Sequence, residues 1–249
     1  MHQQERIRLI AEILEQNGFV TVKHLTEQLH YSTATINRDL NKMQSQGILR
    51  RSFGGAELVA EKRVPLHFRY SQMRPVKNKI GKKAAGLIQN GDTVFIDCST
   101  TAQCIGKYIT DRKDLTVITN NLSLAAYVSE FGIRSVCLGG RIMEPPSMAY
   151  SEETVENARK YGADKLFFSA CAVTPDGRIG RSEYDAHTLL IRTMMKNAQQ
   201  KILLLDHRKL VARCAGYLGT LDEVDIVISD FDFSEETRSA CPNTTFIVL

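Results

Sequence analysis

One stretch of the sequence carries hydrogen-bonding side chains at a spacing that suits the edges of nucleic-acid bases. At about 100° per residue, residues 32–46 divide into an apolar stripe of Ile36, Leu40 and Met43 and an opposite face without an acidic residue. That face carries Ala34, Asn37, Arg38, Asn41 and Lys42. A helix enters the major groove of DNA through a narrow, donor-rich face of this kind, where arginine suits guanine and asparagine suits adenine. We therefore expect Arg38 to read guanine and Asn37 to read adenine.

Other residues nearby suit phosphates rather than bases. Lys42, Arg50 and Arg51 are cations, and phosphate contacts position a protein on DNA without reading its sequence. Asp39 lies nearer the apolar stripe, where we expect it to anchor the fold. An ordinary amphipathic helix with a solvated polar side is the alternative for this pattern. The expected DNA-contacting residues are Thr33, Ala34, Asn37, Arg38, Asn41, Lys42, Arg50 and Arg51.

Further along the chain, polar residues or glycines follow several apolar segments. Ser99-Thr100-Thr101 is a hydroxyl-rich turn, Asn120 and Gly139-Gly140 follow the next two segments, and Lys209 follows a later one. A turn of this kind that opens a helix offers an anion backbone N–H groups and a favourable dipole, and a lysine offers it a point charge. Each feature alone is typical of a helix cap or a turn, but together they predict an anion site.

The elements around the DNA-facing residues predict a winged helix-turn-helix. Helices are expected over residues 3–16, 23–29 and 32–46, the last capped by Ser32 and closed by Gly47. Residues 19–22 form a short extended piece, and residues 30–31 form a tight turn. Segments 48–51 and 56–59 flank Phe53-Gly54-Gly55, which predicts a β-hairpin. Three helices followed by a hairpin are typical of this DNA-binding arrangement.

The rest of the chain alternates apolar strands with helices. Strands are expected over residues 93–97, 115–118, 135–138, 165–168, 202–206, 226–229 and 245–248, and the first helix of this part over residues 79–89. This alternation indicates an α/β domain whose parallel sheet is covered on both faces. Open α/β sheets bind ligands at the carboxyl ends of their strands, where the polar residues described above are found.

Charge divides the chain into three parts. Residues 1–61 have no net charge, residues 62–91 carry eight basic and no acidic residues, and residues 92–249 have a net charge of −4. We expect a winged helix-turn-helix domain over residues 1–60, a basic linker over residues 61–78, and an α/β effector-binding and oligomerisation domain over residues 79–249. The basic segment could contact phosphates through Lys77 and Lys79, or it could be a solvated linker and helix face.

Composition argues against several other classes of protein. Hydrophobic residues make up 43% and charged residues 24% of the 249 residues, and no apolar run is long enough to span a bilayer. The first residues show no secretory pattern. The six cysteines never form CxxC, which argues against a zinc site and against a disulfide framework. We expect a cytoplasmic protein with no membrane contact, no metal and no cofactor.

Several short strings are similar to the patterns of one protein family. They are VTVKHL at residues 20–25, STATINRDL at 32–40 and LRRSFGGA at 49–56, with shorter matches at 97–101, 118–120, 138–140 and 206–209. Through them nearly the whole chain resembles the DeoR family of bacterial transcriptional regulators. The family pattern has arginine, histidine and glycine where this sequence has Asn37, Phe53 and Ser99.

The resemblance implies a second domain that looks like ribose-5-phosphate isomerase and senses phosphorylated sugars or related metabolites. Two departures concern this domain. Ser99 adds a side chain where glycine lets the backbone approach a phosphate or adopt a positive φ, and Ala149-Tyr150-Ser151 lacks a usual glycine. These two departures predict that the second domain binds an unusual effector or senses its effector weakly. The implied effector site comprises Ser99, Thr100, Thr101, Asn120, Gly139, Gly140 and Lys209, with Glu183 matching a family acid near the sugar.

Three functions remain open. The first is a homo-oligomeric repressor, dimer or tetramer, that binds an operator in double-stranded DNA and leaves it when a phosphorylated sugar binds. The second is a constitutive regulator with a degenerate sensor, which Ser99 favours. The third is a sugar-phosphate isomerase with a carboxylate base such as Asp97, Glu183 or Asp206, in which the N-terminal domain would have no role. We expect the first function, and therefore no catalytic residue.

Overall fold

The computed structural model describes residues 3–52, 54–58, 73–143, 148–181 and 185–249. The chain divides into a first unit, Met1–Arg74, and a second unit, Pro75–Leu249. Phe53, Glu183 and residues 61–72 of the expected linker lie outside the described residues.

The first unit contains three helices and a small antiparallel sheet, as the sequence predicts. The helices are α1 (Gln3–Asn17), α2 (Val22–Leu29) and α3 (Thr33–Ser45). The strands are β1 (Phe19–Thr21), β2 (Leu49–Ser52) and β3 (Gly55–Leu58), in the order β1-β3-β2. Gly54, between β2 and β3, has a φ of +74°, which glycine adopts at little cost. The predicted winged helix-turn-helix is confirmed.

Side-chain caps set the starts of α2 and α3. Oγ1 of Thr21 accepts a hydrogen bond from the backbone N–H of His24 at 3.2 Å, so α2 begins one residue before the predicted Lys23. Oγ of Ser32 accepts from the N–H of Thr35 at 3.3 Å, which confirms the predicted cap of α3. Both helices contribute to the core of this unit, which includes Ile10, Leu14, Leu25, Ile36, Leu40 and Met43.

The second unit is built on a seven-stranded parallel sheet. Its strands run from β4 (Thr93–Ile96), β5 (Thr116–Thr119), β6 (Arg134–Cys137), β7 (Ile142–Met143), β8 (Met148–Ala149), β9 (Ala163–Ser169), β10 (Ala172–Val173) and β11 (Arg178–Gly180) to β12 (Ala198–Leu205), β13 (Tyr217–Thr220), β14 (Ile226–Ser229) and β15 (Thr245–Val248). The main sheet has the order β15-β14-β12-β9-β4-β5-β6. Strands β10, β11 and β13 form a separate three-stranded sheet, and β7 pairs with β8.

Helices cover both faces of the main sheet. They are α4 (Arg74–Ala85), α5 (Leu122–Glu130), α6 (Glu152–Arg159), α7 (Asp185–Asn197) and α8 (Glu235–Ala240), with 3₁₀ helices at Ala102–Tyr108, His207–Lys209 and Leu221–Glu223. Neighbouring strand residues alternate between two apolar clusters. Phe167 packs with Ile80 of α4 and Leu124 of α5, whereas Phe168 packs with Leu190 of α7. The predicted α/β fold with a doubly covered parallel sheet is confirmed.

Two predicted features near the linker need correction. The first helix of the second unit begins at Arg74 rather than at residue 79, because Pro75 sits in its first turn, where a missing N–H costs no helical hydrogen bond. Residues 74–78 are therefore helical. Lys77 is only 3% exposed, so it is not available to a phosphate in this fold, whereas Lys79 is exposed.

Candidate functional site

The recognition face of α3 has the predicted orientation. Ile36, Leu40 and Met43 are fully buried beneath the helix. On the opposite side Asn37 is half-buried, and the remaining predicted residues of α3 are exposed. These exposed residues are Thr33, Ala34, Arg38, Asn41 and Lys42.

An ion pair beneath this face fixes α3 against α1. Nε of Arg6 donates to Oδ2 of Asp39 at 2.5 Å and Nη2 donates to Oδ1 at 3.1 Å, and Asp39 is completely buried. Nε2 of Gln3 also donates to Oδ1 of Asp39, at 2.9 Å. The guanidinium of Arg6 lies 4.7 Å from the ring centroid of Tyr31, just before α3. The prediction that Asp39 anchors the fold is confirmed.

The two arginines of β2 have different partners. Arg50 donates to Oε1 of Glu57 from Nε at 3.0 Å and from Nη2 at 2.8 Å, and Glu57 lies directly opposite it on β3. Arg51 instead reaches α3, where Nη1 donates to Oδ1 of Asn41 at 2.7 Å and Nη2 donates to Oδ1 of Asn37 at 2.5 Å. The wing strand and the recognition helix are thus joined by one guanidinium.

The sequence does not reveal this link. Successive residues of a strand face opposite sides, so Arg50 and Arg51 must diverge, but only the fold shows which of them meets α3. Lys42 has a partner as well, because its Nζ donates to Oε1 of Gln3 at 2.9 Å. Gln3 therefore contacts both the buried anchor Asp39 and the exposed Lys42, although nothing in its sequence context indicates such a role.

In the second unit, the sheet order brings some of the predicted effector residues together. Ser99-Thr100-Thr101 follows β4, and Asn120 follows the neighbouring strand β5. Gly139-Gly140 follows the edge strand β6, whereas Lys209 follows β12, which lies on the other side of β4 beyond β9. At about 4.8 Å per strand, the ends of β12 and β6 are roughly 19 Å apart. Asn120 and the turn after β4 therefore lie at the centre of the predicted effector residues.

The turn after β4 is built around a buried carboxylate. Asp97 is fully buried, and its Oδ1 accepts from the N–H of Ser99 at 3.0 Å and from its hydroxyl at 2.5 Å. Its Oδ2 accepts from the N–H of Ser169, at the end of β9, at 3.3 Å. Burial raises the pKa of Asp97 to about 6, against the opposing effect of these hydrogen bonds. Thr101 is buried and Thr100 is half-buried at the start of the 3₁₀ helix.

Asn120 is buried with one polar atom unsatisfied. Its side-chain Nδ2 donates to the backbone carbonyl of Ala149 at 3.1 Å, and its backbone carbonyl accepts from the N–H of Ala149 at 2.9 Å. Its Oδ1 is buried and has no hydrogen-bond partner among the described residues. A buried acceptor without a partner costs free energy, which a ligand with a donor group would recover.

The two glycines after β6 pack against the start of α6. Gly139 and Gly140 have φ values of +64° and +104°. The carbonyl of Gly139 accepts from Oγ1 of Thr154 at 2.7 Å, and a Cβ at Gly140 would overlap the hydroxyls of Thr154 and Ser151. The stretch Ala149-Tyr150-Ser151 leads directly into this helix.

Lys209 lies in a loop that is tied to the small antiparallel sheet. Oδ1 of the fully buried Asp206 accepts from the N–H of Arg208 at 3.2 Å, which caps the 3₁₀ helix that ends at Lys209. Directly after it, the N–H of Val211 donates to the carbonyl of Val173 in β10 at 2.9 Å. Lys209 is half-buried.

None of the helices described here is long and apolar enough to cross a membrane. Within the described ranges, no cluster of three His, Cys, Asp or Glu residues is arranged to hold a metal ion.

Two family models match the chain, one in each unit. Residues 6–62 match the DeoR-like helix-turn-helix domain, and residues 73–231 match the DeoR C terminal sensor domain. The HTH-type transcriptional repressor GlcR of Bacillus subtilis (strain 168) is 34% identical over 233 residues, which cover 92% of this chain and 89% of that protein. The Glycerol-3-phosphate regulon repressor of Escherichia coli (strain K12) is 29% identical over 233 residues and 92% of each chain.

Two solved structures illustrate partial similarity to this chain. Ribose 5-phosphate isomerase A from Methanocaldococcus jannaschii has a TM-score of 0.42 and 19% identity, over 55% of each chain. The eIF2B beta subunit from Chaetomium thermophilum has a TM-score of 0.46 and 15% identity, over 78% of this chain and 53% of that one.

Proposed function

Because the chain belongs to the DeoR family of transcriptional regulators, we propose that it represses a carbohydrate operon and leaves its operator when a phosphorylated sugar binds the second unit. The observation that carries the DNA-binding half is the face of α3. Its apolar stripe is fully buried, its outer face carries no acid, and Arg51 of the hairpin lies beside it. A merely solvated face needs neither the lack of acids nor the neighbouring arginine, whereas both suit a face that enters the major groove.

Within this proposal the contacts divide by chemistry. Arg38 is exposed and offers its fork of donors to a guanine, while Thr33, Ala34, Asn37 and Asn41 lie along the same base-facing side. Lys42 and Arg50 are exposed cations. Their partners, Gln3 and Glu57, are half-buried, so a phosphate can compete with these partners for the two cations.

The effector half of the proposal is supported by Asn120. Its buried Oδ1 needs a donor, and sugar hydroxyls are donors. The turn Ser99-Thr100-Thr101 on the neighbouring strand would meet the phosphate, with Lys209, Gly139, Gly140 and Glu183 completing the site. Among the relatives, the Escherichia coli protein is named for glycerol-3-phosphate, itself a small phosphorylated polyol. An effector shifts the equilibrium only through different affinities for the DNA-binding and released states.

We propose regulation without catalysis. An isomerase would need a carboxylate that is free to take a proton from the substrate. Asp97 has the raised pKa that suits such a base, but both of its oxygens already accept hydrogen bonds from Ser99 and Ser169. This carboxylate is therefore committed to the turn, and relatives over nine-tenths of the chain are named as repressors.

We also propose a homo-oligomer that acts in the bacterial cytoplasm, where the operator is. One winged domain makes a small interface with DNA, and two domains on half-sites about one helical turn apart multiply affinity and specificity. Sedimentation of the full-length protein, alone and on its operator, measures the oligomeric state. A monomer bound to DNA would contradict the proposed homo-oligomer.

The experiment that tests the proposed function combines selection of genomic fragments with thermal shifts. Full-length protein should enrich a defined DNA sequence, and a phosphorylated sugar should both raise the melting temperature and release that DNA. Phosphorylated and unphosphorylated sugars of equal carbon number are compared. No enriched sequence would contradict the DNA-binding half, and enrichment without any stabilising sugar phosphate would favour the constitutive regulator.

Three variants make the second half of the test specific. Asn120→Ala should remove most of the shift in melting temperature caused by ligand. Asn197→Ala is the matched control, because Asn197 is an amide at the amino end of β12, where it caps the carbonyls of Ala158 and Tyr161. It should lower the basal melting temperature and keep the ligand-induced shift. Ser99→Gly restores the family residue, and a sugar response in this variant alone would assign the loss of sensing to Ser99.

A further inference from the structure

The hydrogen bonds of Arg51 connect the wing to two adjacent amides on α3. Its Nη2 and Nη1 donate to Oδ1 of Asn37 at 2.5 Å and to Oδ1 of Asn41 at 2.7 Å. Asn37 and Asn41 are four residues apart, so they lie one turn apart on the same face of the helix. A single planar guanidinium therefore fixes two side chains on the face proposed to read DNA.

The chemistry of this contact sets the orientation of both amides. A guanidinium has donors and no acceptor, so an amide can meet it only through its oxygen. Asn37 and Asn41 each turn Oδ1 toward Arg51, which directs Nδ2 away from it. Both amides are thereby held as donors toward any group that approaches from the other side.

The surroundings of Arg51 explain why it makes this contact. Its neighbour on β3 is Ala56, which has no polar side chain, whereas Arg50 faces Glu57. Asp39, the acidic residue of α3, is occupied by Arg6. Among the described residues Arg51 forms no ion pair, so no carboxylate neutralises its positive charge beside the two amide oxygens.

We propose that Arg51 is a positioning residue that sets the base preference of this protein by holding Asn37 and Asn41 as hydrogen-bond donors. An asparagine that reads adenine uses both of its polar atoms, since Oδ1 accepts from N6 while Nδ2 donates to N7. Here Oδ1 already accepts from Arg51, and the adjacent cation opposes the approach of a second donor. Guanine presents two acceptors, O6 and N7, in the major groove. The two asparagines therefore select guanine over adenine.

This inference rests on the proposed function and replaces adenine, which the residue type of Asn37 suggests, with guanine. It also gives Arg51 a role other than a phosphate contact. The two roles differ in what the loss of Arg51 does. A phosphate contact adds about equally to the affinity for every DNA sequence, and it contributes to the salt dependence of binding. A positioning residue instead affects the choice of base.

The test is a selection of bound sequences from random duplexes, with full-length wild type, Arg51→Met, Arg51→Lys and Arg50→Met. Wild type should enrich guanine at the positions facing Asn37 and Asn41. Arg51→Met should lower the guanine-to-adenine preference there on the order of tenfold, the size of one good base contact. Arg51→Lys keeps the charge but lacks the planar fork, so it should lose the preference and keep the salt slope. Arg50→Met, the matched control, should keep the preference.

A variant on the helix ties the effect to the amides. In an Asn37→Ala background, Arg51→Met should change the preference only at the base that faces Asn41. Unfolding curves of the Arg51 variants check that they fold, and Arg51→Lys retains most of the side-chain packing if Arg51→Met does not.

The outcomes separate the two levels of proposal. A wild type that enriches no sequence contradicts the proposed function itself. A wild type that enriches adenine at these positions, or a guanine preference that survives both Arg51 variants while the salt slope falls by about one, contradicts this inference alone.

Discussion

The hydroxyl of Ser99 donates to the buried Oδ1 of Asp97 at 2.5 Å and, at the same time, accepts from the N–H of Ala102 at 3.1 Å. The serine side chain is thus folded into the turn after β4. The backbone of Ser99 does not require glycine either, because Ser99 does not have a positive φ. The described non-glycine residues that do are His30, Met73 and Asp114. The residue that departs from the family pattern therefore stabilises the turn instead of blocking it.

Replacing Ser99 with alanine should weaken the second unit. The change removes one donor from a buried carboxylate and the cap from the N–H of Ala102, which together contribute about 1–2 kcal/mol to the free energy of unfolding. Urea unfolding followed by circular dichroism measures the loss. Thr100→Ala, at the next residue, is the control, and an equal effect of both variants would contradict the role assigned to Ser99.

The stability of the protein should fall as the pH rises through the titration of Asp97. Burial raises the pKa of Asp97 to about 6 from an ordinary value of 3.8, so between these values the folded state binds more protons than the unfolded state. The stabilisation is complete below about pH 4 and is lost as the pH rises through about 6, by roughly 3 kcal/mol at most. Unfolding free energies measured across this range give the slope.

Asp97→Asn isolates this contribution. The variant should be less stable overall, because its Nδ2 would face the N–H of Ser169, yet its stability should vary less between pH 4 and pH 7 than that of wild type. The difference between the two pH profiles is the titration of Asp97. Parallel profiles would show that its pKa is not raised.

The two glycines after β6 should respond differently to alanine. At Gly140 a Cβ would overlap the hydroxyls of Thr154 and Ser151, and φ is +104°, so Gly140→Ala should cost more than about 2 kcal/mol. At Gly139 nothing lies within 4 Å of a Cβ and φ is +64°, so Gly139→Ala should cost only about 1 kcal/mol of backbone strain. Thermal melting of both variants compares them, and equal losses would contradict the packing role of Gly140.

The sequence predicts most of the fold because its signals are local or periodic. The strands β14 and β15 match the predicted bounds, and β14 is closed on both sides by aspartates, Asp225 and Asp230. The small strands β7, β8, β10 and β11 were not predicted, because two or three residues carry no periodicity. The helix after Thr101 is 3₁₀, a difference in hydrogen bonding that an apolar pattern does not reveal.

The candidate sites are less predictable, because they depend on contacts between distant residues. The face of α3 follows from one helical period, and Asp39 was expected at its edge. The reach of Arg51 to Asn37 depends on how the wing strand turns, which no single segment specifies. Likewise, Nδ2 of Asn120 donates to Ala149 of β8, a contact between residues 29 positions apart that no local pattern predicts.

The buried pair of Arg6 and Asp39 fixes the recognition helix. Removing one partner leaves the other charge buried and unpaired, so Arg6→Met should cost about 3 kcal/mol or more, and it should weaken operator binding because α3 loses its anchor. The double variant Arg6→Met/Asp39→Leu removes both charges and should recover part of the loss. Lys23→Met breaks the exposed pair with Glu27 in α2 and serves as the control, with little effect on stability. Unfolding and operator-binding measurements on wild type, Arg6→Met, Asp39→Leu and the double variant complete a double-mutant cycle, in which additive losses from Arg6 and Asp39 would contradict a coupled pair.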